Sequence, residues 1–259
     1  MIRAIDHIVI LVRDLAAAVA DYTALGFTVT PGGEHTGGAT HNALVIFADD
    51  TYLELIAFKR PAPDHHWYRH VALGEGLIDF ALLPTAIEAD LAAARERGLT
   101  LEGPFAGGRT RPDGQQVAWQ TARALTPDLP FLCGDVTPRA LRVPDGAARL
   151  HANGVSGIAG LTVAVADLGA SVTRYRALLG VVERETALSS MQGARAVSFA
   201  LDASAITLAT PDSSSGTALA EQLEARGEGP FALTLRGPHQ DRPTNQQLAH
   251  GARIDFLPA

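Results

Sequence analysis

Cysteine is almost missing from this 259-residue chain. Cys133 stands alone, which excludes an intramolecular disulfide and a cysteine-based zinc cluster. Positive charge is also short: 21 Lys and Arg face 28 Asp and Glu, for a net charge of −7. Without a basic face to neutralise phosphates, nucleic acid is excluded as a partner. No run approaches the roughly 20 apolar residues that span a bilayer. The first residues break their apolar run at Asp6 and His7, unlike a signal or transit peptide, so a cytoplasmic protein without membrane contact is expected. The pairs Gly32-Gly33, Gly37-Gly38 and Gly107-Gly108 lack the spacing and following helix of a phosphate loop, so no nucleotide cofactor is expected. Apolar material is ample: 47% hydrophobic residues can build a sizeable core, in two modest domains or one duplicated one.

The chain then states one pattern twice. Residues 5–15 run Ile-Asp-His-Ile-Val-Ile-Leu-Val-Arg-Asp-Leu, and residues 158–168 run Ile-Ala-Gly-Leu-Thr-Val-Ala-Val-Ala-Asp-Leu. Each reads as a strand entering an Ala-rich helix that ends in glycine, Gly26 or Gly180. Aligning Asp14 with Asp167 sets His7 opposite Gly160. The frame is kept and the polar residue is lost.

Within the first half, a strand over 5–12, a helix over 15–25 and strands at 27–30, 42–47 and 52–57 give the order β-α-β-β-β, with 31–38 a loop by composition. A second unit follows: strand 77–83, helix 85–97, strands 99–101, 115–122 and 129–133. Glycine-to-glycine alignment (Gly26 with Gly98) sets Asp79 opposite His7. Residues 143–154 read as a linker. A third unit covers 155–211, with a strand at 181–183, a loop at 213–216 and a helix at 219–226 after it. A fourth, from Phe231, is truncated, with room only for a short helix around 244–249. The expected organisation is a module pair in 1–142 and a degenerate pair in 155–259.

Repeated units of this order and size resemble the vicinal oxygen chelate superfamily, in its glyoxalase-like branch. The resemblance rests on Ile5-Asp6-His7-Ile8-Val9 with Asp14-Leu15, on Thr40-His41-Asn42, on Tyr52-Leu53-Glu54-Leu55, and on Arg111-Pro112-Asp113-Gly114 followed by Trp119. It implies an α+β fold of tandem β-α-β-β-β modules whose curved mixed sheets pair to form a cleft. It also implies one divalent metal (Zn, Mn, Fe, Ni or Mg) on the first and last strands of each unit. Those positions hold His7 and Glu54, then Asp79, then no clear ligand on strand 129–133. In the third unit they hold Gly160 and Thr207, and in the fourth Ala232 is at the first, so the C-terminal pair cannot build that site.

The residues themselves leave two readings open. Strand alternation puts His7 with Val9 and Leu11 on one face and Glu54 with Tyr52 and Ile56 on another. An imidazole and a carboxylate in apolar strands need partners: a cation bound by both, with Asp79 third, or simple hydrogen bonds. His41 is the candidate general base or a loop histidine tied to backbone; His35 is a looser version of the same idea. Tyr52, Trp119, Gln120, Arg109 and Arg111 are the candidate substrate contacts, the arginines through their planar forks to an anionic or carbonyl group, although Trp119 also suits a core and Arg111 a solvated turn. His65, His66 and His70 around Trp67 fit no metal motif and are expected on a solvated surface. Cys133 reads as a small buried hydrophobe. The implied functions are a metal-dependent lyase or isomerase acting on a small oxygen-rich molecule, or a metal-free binder that sequesters one. The C-terminal half would cap the first half or mediate a homodimer.

Overall fold

Alternating aliphatic residues build β1 (Ala4–Leu11), and the Asp14 carboxylate starts α1 (Leu15–Ala24) by accepting from the amides of Ala16 and Ala17. β2 (Thr30–His35), β3 (Thr40–Ile46) and β4 (Tyr52–Phe58) complete the first unit. The second comprises β5 (Gly76–Leu83), α2 (Ile87–Glu96), β6 (Glu102–Thr110), β7 (Gln116–Arg123) and β8 (Phe131–Asp135). A single turn, α3 (Arg139–Arg142), leads on to β9 (Gly157–Ala164), α4 (Leu168–Leu179), β10 (Arg184–Glu185), β11 (Ala194–Ala200) and β12 (Ala205–Pro211). Last come α5 (Ala218–Arg226), β13 (Gly229–Arg236) and β14 (Ile254–Leu257). The computed structural model describes residues 2, 4–180, 184–185, 193–212, 216–238 and 245–257.

The first eight strands close into a barrel in the order β1-β4-β3-β2-β6-β7-β8-β5, while β10-β11-β12-β9-β13-β14 form an open sheet. The pairing logic is common to both. β1 runs parallel to β4 and antiparallel to β5, as β9 does to β12 and β13. β8 is parallel to β5 as β14 is to β13. Among the described residues no strand lies between β13 and β14 in sequence, and that sheet is open. The fold is the expected α+β one, with its cleft enclosed as a barrel interior.

Some elements depart from the sequence pattern. The stretch from Pro31 expected as loop forms most of β2, because β3 and β6 pair with it on either side. Its irregularity is absorbed between Pro31 and Gly33, where Gly33 takes φ +134° and a Cβ would lie 2.0 Å from the Thr110 carbonyl oxygen. β6 starts after the expected strand at 99–101 and runs through Gly107-Gly108. The short helix expected around 244–249 is instead a series of turns from residue 246 on. The strand expected at 181–183 and most of the loop at 213–216 lie outside the described residues.

One core spans both halves. The outward faces of the barrel (Ile8, Ile10, Leu53, Leu55), Tyr22 of α1, and Tyr175, Phe199 and Leu233 of the C-terminal half belong to the same apolar cluster. Polar ties cross the boundary: Tyr22 Oη donates to the Ala249 carbonyl (3.2 Å), and Tyr175 Oη to that of Asp128 (2.7 Å). Residues 143–154 sit against the barrel through His151, which bonds the Thr28 amide and the Ile46 carbonyl.

At the start of β1 the ladder with β5 slips between Ile5 and His7. Asp6 there is fully buried beside Arg142, which is 1% exposed. Arg142 Nη1 donates to Asp6 Oδ2 (2.6 Å) and to Tyr52 Oη (2.8 Å), and its Nε to Asp135 Oδ1 (2.5 Å). Arg139 Nη1 adds a bond to Asp6 Oδ1 at 2.7 Å. Burial alone would raise the Asp6 pKa, but Arg142, the His7 hydrogen bond and Arg139 together hold it well below the usual carboxylate range. Arg142→Met should therefore cost about 3–5 kcal/mol in urea unfolding at pH 7, since it strands a buried charge. A depressed pKa contributes stability above the unfolded value and loses it on acidification, so the gap between variant and wild type should narrow below about pH 4. A loss under about 1 kcal/mol at pH 7 would show that the cluster does not hold the barrel end.

Candidate functional site

The barrel encloses a cavity of about 440 Å³, within the range of small-molecule sites. Strand alternation decides what enters it. Ile8 and Ile10 face outward into the shared core, while His7, Val9 and Leu11 face inward. Tyr52 and Glu54 come from β4 and Asn42 from β3. The Tyr52 ring stacks on His7 (centroids 4.6 Å apart, 14° between planes), and Phe131 meets His7 edge-on at 5.4 Å.

His7 is fixed from behind. Its Nδ1 lies 2.6 Å from Asp6 Oδ2. With Asp6 held as the anion by two arginines, the proton of that bond belongs on Nδ1, and Nε2 is turned into the cavity. His7 Nε2 faces Glu54 Oε2 at 3.5 Å. The other oxygen of Glu54 accepts from Asn42 Nδ2 at 2.7 Å and lies 3.4 Å from His35 Nε2. His35 Nδ1 is in turn 2.8 Å from Thr40 Oγ1. An imidazole lone pair and a carboxylate oxygen facing each other in a buried site repel unless a proton or another cation stands between them.

Trp119 of β7 walls the cavity. Its indole lies against β6 where Gly107 leaves room: a Cβ there would sit 2.3 Å from Trp119 Nε1. Trp67 lies on another wall, and its Nε1 donates to Asp79 Oδ2 at 2.7 Å. Arg109, 3% exposed, lines the cavity and donates from Nη2 to the Arg142 carbonyl at 2.9 Å.

The expected site residues divide. His7, Tyr52, Glu54 and Trp119 converge on the cavity. His41 does not: it follows Thr40 and precedes Asn42, both of which face inward, so alternation turns it out toward Lys59 and Glu34. His35, at the end of β2, is the histidine that enters instead. Gln120 lies between the inward Trp119 and Thr121 and faces away. Arg111 is spent on the Leu141 carbonyl (2.9 Å) and on Asp113 (3.1 Å). Cys133 is buried against the cavity, and burial pushes its thiol up to about 12, as befits a small hydrophobe. His65 and His66 are not on a solvated surface. They line the cavity, and burial, then Arg123, brings His66 down to about 3. His70 is buried as well. Arg109, expected to meet an anionic or carbonyl group, does line the cavity; Asp6, Arg139 and Arg142 were not among the expected residues. The only local hint was an acid directly before His7, since the arginines reach the site from far along the chain.

Register settles which positions correspond. His7 pairs with Ala81 and Val9 with Asp79 across β1 and β5, so Asp79 is the counterpart of His7. Val9 pairs with Glu54, and Ala81 with Phe131, so Phe131 is the counterpart of Glu54. Asp79 Oδ2 accepts from Trp67 and Oδ1 from the Phe80 amide (2.8 Å). Among the described residues, no group of three or more His, Cys, Asp and Glu is arranged to hold a metal ion. Burial raises the Asp79 pKa to about 6 against those two hydrogen bonds. An acid with a raised folded pKa favours the folded state at low pH and loses that advantage as pH rises through the folded value. Wild-type stability should thus fall by about 2–3 kcal/mol between pH 4 and 6.5 relative to Asp79→Asn, as read by urea unfolding. An equal pH profile for the two proteins would refute the assignment.

Comparison with known proteins agrees with this fold. A model of the glyoxalase-like domain matches residues 5–179. No curated protein matches the chain. A hypothetical protein from Staphylococcus aureus, solved by crystallography, superposes with a TM-score of 0.72 at 15% identity, over 98% of this chain and 99% of that one. A triply substituted 4-hydroxymandelate synthase from Streptomyces coelicolor gives 0.58 at 16% identity, over 92% of this chain and 72% of that one. A fusion of a xylose isomerase-like TIM barrel with 4-hydroxyphenylpyruvate dioxygenase gives 0.57 at 16%, over 92% of this chain and 37% of that one. At such identities the structural likeness speaks for the fold alone. With its barrel of two β-α-β-β-β units and a family match over most of its length, the chain belongs to the glyoxalase-like domain family.

Proposed function

We propose that the barrel cavity takes up a small oxygen-bearing molecule and that the His7–Glu54 pair moves a proton on it. One observation carries this reading: His7, oriented by Asp6 through a 2.6 Å bond, points Nε2 at Glu54 Oε2 across 3.5 Å inside a cavity. A base with a fixed orienter and an acid partner is the arrangement that general acid–base catalysis requires. His7 Nε2 would take a proton from one atom of the bound molecule, and that same proton would be delivered to a neighbouring atom either by His7 or, passed across the 3.5 Å gap, by Glu54, which leaves both side chains as they began. Asn42 holds the Glu54 carboxylate in place. Isomerisation or elimination next to a carbonyl is the class of reaction such a pair supports. The common pairing pattern of the two sheets supports an origin by internal duplication, in which only the first pair kept polar residues at these positions.

The family's paired metal set does not fit these residues. One of its four positions is Phe131, and both Asp79 oxygens are committed to other donors. His7, Glu54 and Asp79 therefore make a poor common ligand set, and the proposed proton transfer runs on these side chains alone.

The test is deuterium exchange in D2O over a panel of small hydroxycarbonyl and 2-oxo compounds, followed by NMR. At least one compound should exchange the hydrogen beside its carbonyl. His7→Gln should slow that exchange by about 10²–10⁴-fold while circular dichroism stays unchanged. Exchange should survive treatment with EDTA. A stoichiometric metal lost from His7→Gln would overturn the metal-free reading in favour of a metal centre. Saturable binding of panel compounds without exchange would favour a protein that sequesters its ligand.

A further inference from the structure

The charges around the cavity do not balance locally. Arg142 is matched by Asp6 and Asp135. Glu54 is met by Asn42, His7 and His35. Arg109 has no such partner. Its guanidinium is buried with the residue 3% exposed, yet among the described residues no carboxylate lies within 4 Å of it. Nη2 is used by the Arg142 carbonyl. Nε meets no acceptor, and none is found for Nη1 among the described residues. A buried, unpaired guanidinium is costly, and a barrel would not retain one for packing alone. A second cation, Arg123, lines the same cavity, 5.0 Å from the centre of the Phe105 ring and without an acidic partner among the described residues. Asp64 also lines the cavity.

The walls are flat and aromatic. Trp119 lies along β6 over Gly107, and Trp67, Tyr52 and Phe131 also line the space. Broad rings around a cavity of about 440 Å³ suit a planar guest. Resting on the reading of this cavity as a small-molecule site, we infer that its ligand is a planar carboxylate, aromatic or enolic, whose carboxylate is bound by Arg109 and whose ring lies between the aromatic walls. The guanidinium fork is matched to a carboxylate, and a ligand anion supplies the counter-charge that the protein withholds. The same anchoring fixes how the rest of the molecule presents itself to His7.

The chain has two tryptophans, Trp67 and Trp119, and both line the cavity, so intrinsic fluorescence reports its occupation. Benzoate and its neutral isostere benzamide are titrated into the full-length protein at pH 7.5. Benzoate should quench saturably, with an apparent affinity at least tenfold above that of benzamide. Arg109→Met should abolish that preference, and Arg109→Lys should keep part of it. Equal binding of the two probes by wild type would overturn the anion inference and leave the small-molecule reading standing. Failure of both to bind would overturn both. A full benzoate preference in a folded Arg109→Met protein would remove Arg109 from the role. The wild-type comparison holds even if that variant does not fold.

Discussion

A single buried carboxylate governs the rest of this site. Asp6 has no contact with solvent, and an ion there is tolerable only because Arg142, Arg139 and His7 all donate to it. The consequences run in two directions. Toward the fold, the cluster ties the first strand of the barrel to the turn of helix that follows its last strand. Toward the cavity, it sets the orientation of His7 and therefore which ring nitrogen is offered to a guest. The slip in the β1–β5 ladder between Ile5 and His7 occurs where the sequence neighbours Asp6 and His7 bond to each other. A regular strand would send their side chains to opposite faces.

How much of this was legible in the sequence follows from the range of the forces involved. The faces of β1 were legible because aliphatic alternation is local, whereas the pairing of His7 with Glu54 is what the family resemblance implies, alternation only placing each on an inward face. The counterparts Gly160, Thr207 and Ala232 also agree with the observed register of the second sheet. β2 was misread as a loop because its glycines and proline carry no strand preference of their own. It is a strand because barrel closure supplies partners on both sides. His41 reads as a residue at the end of a loop, but β3 begins at Thr40, and inside a strand the period of two turns His41 to the face opposite Thr40 and Asn42. Arg142 offered no local signal of its place beside Asp6, since the two lie 136 positions apart in sequence.

The two halves share a strand plan and differ in what they do with it. The C-terminal sheet keeps the parallel and antiparallel neighbours of β1, but its corresponding positions hold Gly160, Thr207 and Ala232, and the fourth, Asp255, is exposed. Its contribution is to cover apolar barrel surface. Ile8, Ile10 and Leu53 lie in the same cluster as Phe199 and Leu233, so the second sheet completes the core that holds the first.

The bond from Tyr22 to the Ala249 carbonyl links residues 227 positions apart. During synthesis a chain leaves the ribosome amino end first. The outer face of β1 and α1 therefore waits, greasy and uncovered, until the residues around Ala249 have been added. Whatever shields that face in the meantime must be borrowed from outside the nascent chain or from its own incomplete neighbours.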